Sequence, residues 1–214
     1  MHLFVSLSVA VACAALPWPA VRLPTRWIAI AAAPALALMV AGAVFGLPFY
    51  PSSDVAVLGF GVLAGIVLGR AMPPMLRPFL TLLAILSALD VAQNLAFSGP
   101  SPTPSSALTT PDPHLVWLNL RFPLDGGQFN LGVADVILIA AISEHLRRRN
   151  VRLALAVLPG VIGLGLGEAL VASLPEAPPA LVGALVQSVI PFLTAGYVLT
   201  ELAISQTSPA GSSG

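Results

Sequence analysis

Two aspartates sit where charge is costly: Asp90 inside the run 80–94 and Asp135 inside the run 129–139. Each run belongs to a stretch apolar enough to cross a bilayer. A carboxylate there costs at least ~2.5–3.5 kcal/mol, so an acidic side chain at such a position points to function. Ser87 and Asn94 stand at i−3 and i+4 from Asp90, on the same helix face, and that polar face should meet a wet cavity and not lipid. Two carboxyls brought close together cannot both ionise; they share a proton and titrate as a pair. The ionised member can take a proton from water while the protonated member polarises a peptide carbonyl, as in an aspartic protease. Paired intramembrane carboxylates can also carry protons or cations through a transporter. Residue type and spacing leave both chemistries open.

The elements that must hold this pair are membrane helices. Of 214 residues, 57% are hydrophobic and 8% charged, and the mean hydropathy is +0.94. Soluble domains carry about 25% charged residues, so a water-soluble globule is excluded. The apolar residues come in runs of about twenty, unlike the ten-residue alternation of a membrane β-barrel. The length rule predicts an all-α polytopic bundle of about seven transmembrane helices, at 2–20, 27–48, 54–71, 78–98, 128–146, 151–174 and 179–203. Met1 to Pro19 has the apolar core of a signal peptide, but its first arginine, Arg22, follows the apolar stretch, the reverse of a cleaved signal. It reads as a retained first span.

All 9 basic residues are arginines, which suggests a GC-rich genome. Arg22 and Arg26, Arg70 and Arg77, and Arg147, Arg148, Arg149 and Arg152 fall in alternate loops, and only Arg121 falls on the other side. The positive-inside rule makes the arginine-rich loops cytoplasmic, the N-terminus external and the C-terminus internal. The expected location is a prokaryotic plasma membrane. Residues 1–204 form one transmembrane domain, with spans one to three as scaffold and spans four to seven, with loop 99–127, as the catalytic half; 205–214 is a small, polar, disordered tail. In the long external loop, 114–122 alternates imperfectly and suits a short strand or an interfacial segment, with Trp117 at the headgroups.

With this topology both aspartates reach the same depth. Asp90 is eight residues from the outer end of span four, about 12 Å, and Asp135 is six residues into span five, about 9 Å.

These residues resemble the motifs of the presenilin and signal peptide peptidase intramembrane aspartyl proteases. Leu131-Gly132-Val133-Ala134-Asp135 resembles their Gly-x-Gly-Asp motif, Leu89-Asp90 takes the place of Tyr-Asp, and Pro179-Ala180-Leu181 matches Pro-Ala-Leu. Their order agrees as well: first aspartate, long loop, second aspartate, one helix, Pro-Ala-Leu. The resemblance covers about residues 78–203. It implies an endopeptidase that cleaves transmembrane protein or peptide substrates with an Asp90/Asp135 dyad. Gly132 and Ala134 would then lie along the substrate, and Pro179, Ala180 and Leu181 would shape its access. The outward loop between the aspartates resembles the signal peptide peptidase orientation. Two positions depart from the pattern: Ala134 stands for the second glycine and Leu89 for the aromatic residue. The rivals are a proton- or cation-coupled transporter using the same carboxylates and a catalytically inactive homologue.

The remaining polar residues read more plainly. Glu168 suits an interfacial glutamate reaching outward, and Gly163 and Gly167 suit close helix packing. Gln187 and Ser188 could line the cavity or bond between helices. His145, beside the arginine cluster, is expected at the headgroups. The lone Cys13 and three scattered histidines offer no metal-ligand set. No cofactor is expected, and with no basic tail or patch no nucleic-acid partner.

Overall fold

The computed structural model describes residues 2–46, 52–97, 115–124, 127–173 and 180–207. The order is α1 (His2–Ala15), a 3-10 turn Pro19–Arg22, α2 (Thr25–Phe45), α3 (Ser52–Ala71), α4 (Leu76–Phe97), a 3-10 turn Leu115–Leu118, β1 (Asn119–Leu124), β2 (Gly127–Gly132), α5 (Val133–Arg148), α6 (Leu153–Ala156), α7 (Leu158–Ser173), α8 (Ala180–Gln187) and α9 (Ile190–Thr207). The fold is mostly helical. Among the described residues, Thr25–Phe45, Ser53–Ala71, Leu76–Ala96 and Leu153–Leu170 are long and apolar enough to cross a membrane, at the places expected for spans two, three, four and six.

Glycine lets the helices approach. Gly61, Gly65 and Gly69 form one stripe of α3 pressed on α5: a Cβ on Gly65 would lie 2.4 Å from the Ile137 carbonyl oxygen, and one on Gly69 2.7 Å from that of Ala141. Small residues at such spacing allow close packing where no hydrophobic drive separates helix from lipid. The expected packing role of Gly163 holds, since its Cβ would fall 2.8 Å from the Phe192 carbonyl oxygen of α9. Gly196 returns the contact, with a Cβ position 2.3 Å from the Pro159 oxygen.

Three expected spans are interrupted, each for a physical reason. Helix α5 starts at Val133 and not near 128, because 127–132 pairs with 119–124 as an antiparallel hairpin in the register Asn119↔Gly132, Leu120↔Leu131. Proline interrupts the other two. Its ring clashes with the carbonyl four residues back and it has no N–H. Pro159 follows the break between α6 and α7, and Pro191 follows the break at Ser188-Val189 between α8 and α9. Pro34 lies within an unbroken α2. At the other end of the molecule α1 stops at Ala15, and α9 continues to Thr207, three residues into the expected tail.

Trp117 and His145 lie inside the protein. Trp117 is fully buried, its indole filling the notch above Gly42 of α2, where a Cβ would come within 2.1 Å of the ring. His145 is fully buried and stacks on Phe79, ring centroids 4.0 Å apart. Both rings gain more from burial than a sequence pattern of mixed polarity discloses.

The arginine-rich loops gather at one end. Arg70 donates to the carbonyls of Leu23 and Ala20 and to Glu144 at 2.9 Å. Arg147 holds the same Glu144 through two bonds of 2.6 and 2.7 Å. Arg148 donates to the carbonyls of Gly69, Arg70 and Met72, closing the end of α3, and Arg149 pairs with Glu201. Helix α5 ends in a Schellman turn: Val151 N–H bonds Leu146 O at 3.1 Å, Asn150 N–H bonds Arg147 O at 2.9 Å, and Asn150 has φ 60°.

Candidate active site

Asp135 is placed by the hairpin. Strand β2 runs into α5 without a linker, so Gly132 is at once the last strand residue and the N-cap, extended at φ −65°, ψ 152°. Three residues on, Asp135 Oδ2 accepts the Gly132 N–H at 3.0 Å, the acidic half of a capping box. Gly132 is crowded from two sides. A Cβ there would sit 3.1 Å from Asp135 Oδ2 and 3.7 Å from Asn119 Oδ1. The cross-strand pairing of Asn119 with Gly132 thus places the Asn119 amide at the same glycine that the carboxyl caps.

Asp90 is placed by the broken helix. Its Oδ2 accepts the Ile190 N–H, the first residue of α9, at 3.2 Å. Its Oδ1 accepts from Asn94 Nδ2 at 3.3 Å, and the same nitrogen donates to the Asp90 carbonyl at 3.0 Å and to Ser188 Oγ at 2.9 Å. Ser188 Oγ donates onward to Ala184 O at 2.8 Å. One turn along, Ser87 and Thr194 share a hydroxyl bond of 2.9 Å. The polar face of α4 therefore lies against the α8–α9 break, where helix ends leave backbone groups that need partners. Both aspartates are half-buried.

The two carboxyls are near enough to interact electrostatically. Each also takes the N–H of a helix N-terminus, α5 for Asp135 and α9 for Asp90, where the helix dipole favours negative charge. Each acid thus accepts a backbone N–H at the start of a helix, Asp135 at the end of the hairpin and Asp90 at the α8–α9 break.

The other expected site residues are distributed differently. Ala134 lies in the first turn of α5 with its side chain exposed. Ala180 opens α8, and Leu181 is exposed on it. Leu181 precedes Ser188 by seven residues, about 10 Å along a helix, so α8 meets the aspartates through its far end. Pro179 and the side chain of Gln187 lie outside the described residues. Asn119, Ile190 and Thr194 were not singled out by sequence. Pro191 was the available signal for Ile190, because a proline in an apolar run frees the backbone around it. Asn119 carried no local signal; only the strand register brings it in. No cluster of three potential metal ligands occurs among the described residues.

The chain matches no family model, no curated protein and no solved structure.

Proposed function

We propose that this protein is a membrane-embedded aspartyl endopeptidase of the presenilin and signal peptide peptidase type. In this reading Asp90 and Asp135 activate water to hydrolyse peptide bonds of transmembrane segments. One observation carries it: acids on two different helices each accept a backbone N–H at a piece of non-helical backbone, Asp135 at the β1–β2 hairpin and Asp90 at the α8–α9 break. Irregular backbone at membrane depth persists only where protein covers it or a wet cavity borders it. A peptidase needs such a cavity, because it must admit both water and an unwound peptide. The strands β1 and β2 would offer an edge to which an extended substrate adds by main-chain hydrogen bonds. Gly132 and Ala134 would lie along the guest, and Pro179, Ala180 and Leu181 would flank its entry.

The chain in this reading crosses the bilayer seven times, with α6–α7 and α8–α9 each counted as one crossing. The arginine-rich end is cytoplasmic and the aspartates lie toward the outer face. The partners are the lipid bilayer and transmembrane substrates.

One observation favours a second reading. A discontinuous helix whose N-terminal N–H points at an intramembrane carboxylate, as Ile190 does at Asp90, also builds ion and substrate sites in secondary transporters. Reconstitution in liposomes separates the two. With a transmembrane peptide substrate, wild type cleaves, and Asp90→Asn or Asp135→Asn lowers the rate at least about a hundredfold, the contribution of positioned acid–base groups. Wild type that cleaves nothing but dissipates a proton or cation gradient establishes the transporter. Wild type that does neither leaves an inactive homologue.

A further inference from the structure

We infer that Asn94 is a positioning residue that holds Asp90 as the charged member of the pair and leaves the shared proton on Asp135. The inference rests on the hydrolytic reading of the pair.

The hydrogen bonds divide the two acids. Both oxygens of Asp90 receive donors, Asn94 Nδ2 on Oδ1 and the Ile190 N–H on Oδ2. The orientation of the Asn94 amide follows from chemistry. It meets the Asp90 main-chain oxygen at 3.0 Å as well as the carboxylate; both are acceptors there, so the NH₂ end must face them. A proton on Asp90 would weaken one of these bonds, because the oxygen that carries it becomes a poorer acceptor. Asp135 has one oxygen engaged, Oδ2 with the Gly132 N–H. Its Oδ1 takes no donor among the described residues and can carry the proton. Asn94 is itself fixed from outside α4, by Ser188 at 2.9 Å.

The surroundings contain few other charges. Residues 180–196 of α8 and α9 include no titratable side chain. Tyr197 and Glu201 stand further along α9 beside Arg149. Arg77 is thirteen residues back on α4, Glu144 is nine residues beyond Asp135 on α5, and Glu168 is on α7. Asp90 is the acidic neighbour that acts on Asp135.

The proton assignment orders the reaction. Asp90 takes a proton from water as the water oxygen bonds to the scissile carbonyl carbon, and Asp135 gives its proton to the carbonyl oxygen, forming a neutral gem-diol. Asp90 then passes its proton to the leaving nitrogen as the C–N bond breaks. A gem-diol O–H returns a proton to Asp135, leaving a carboxylic acid, an amine and the starting pair.

The test uses the full chain in liposomes, with kcat/KM for a transmembrane peptide measured against pH. Loss of a donor to the charged form disfavours that form. In Asn94→Ala the acid limb should therefore move to higher pH by about one unit while the alkaline limb stays. Ser188→Ala, which frees Asn94 from its anchor, should move the same limb the same way by less. An acid limb that stays in place in both variants, or movement of the alkaline limb alone, overturns the assignment. Infrared spectra of the protonated carboxyl band, which need no turnover, give a second readout. The band should vanish in Asp135→Asn and persist in Asp90→Asn, and the reverse overturns the assignment. Wild type that cleaves no peptide at any pH sinks the hydrolase reading, while the infrared band still reports which acid holds the proton.

Discussion

A methyl group at Gly132 would touch the Asp135 carboxyl directly. Its position, 3.1 Å from Asp135 Oδ2, is tight enough that the carboxyl must give by a few tenths of an ångström. Gly132→Ala should lower kcat by up to about tenfold, less than the hundredfold of a full ångström's misplacement, with the melting temperature nearly unchanged. A full-rate variant would show that Asp135 need not keep its present pose. Asp90 and Asp135 announce themselves in sequence because charge inside an apolar run has no cheap structural excuse. The groups that orient them do not. Ile190 contributes a backbone N–H and Asn119 a strand partner, and neither depends on a residue type that a linear pattern can register. Trp117 and His145 show a further limit: nothing in their type marks them as buried, yet a notch at Gly42 and a ring at Phe79 hold both inside the protein.

Among the elements, α3 packs directly on α5, the helix that carries Asp135. Gly65→Ala places a methyl 2.4 Å from the Ile137 carbonyl oxygen and should destabilise by about 1–3 kcal/mol, the usual cost of overpacking, seen as a lower melting temperature in detergent. Gly59→Ala on the same helix meets nothing within 4 Å and should be neutral or stabilising by up to about 1 kcal/mol through helix propensity. Equal effects at the two sites would contradict the packing described. The α3 stripe escapes attention in sequence because glycine every fourth residue is unremarkable in so small-residue-rich a chain. Apolar length located α2, α3 and α4 well, since a long uniform run has one solution. It failed where polar backbone finds partners inside the protein: at 127–132 through strand pairing, and just after Ser188-Val189, where Asp90 takes the Ile190 N–H.

For the whole molecule, the arginine-rich end acts as a clasp opposite the aspartates. Glu144 is fully buried between Arg70 and Arg147, which keep some access to water. Glu144→Gln leaves two arginines short of a counter-charge at the junction of three loops. It should cost about 2–3 kcal/mol, less than a fully buried pair because both cations remain partly hydrated. Thermal unfolding in detergent measures this, and an unchanged midpoint would show that the carbonyl bonds of Arg70 suffice. The alternation of arginine along the chain foretold this gathering at one end, since charge at loop ends reports topology directly.

The claim that the two acids form one hydrolytic site is tested most directly by the cleavage rate of the Asp90→Asn/Asp135→Asn double variant beside both single variants in liposomes. Residues acting as a unit lose nearly everything at the first substitution. The two single variants and the double variant should therefore fall to the same background rate. A single variant that cleaves near the wild-type rate, or a double variant slower than either by the product of their losses, would mean that the carboxyls work apart.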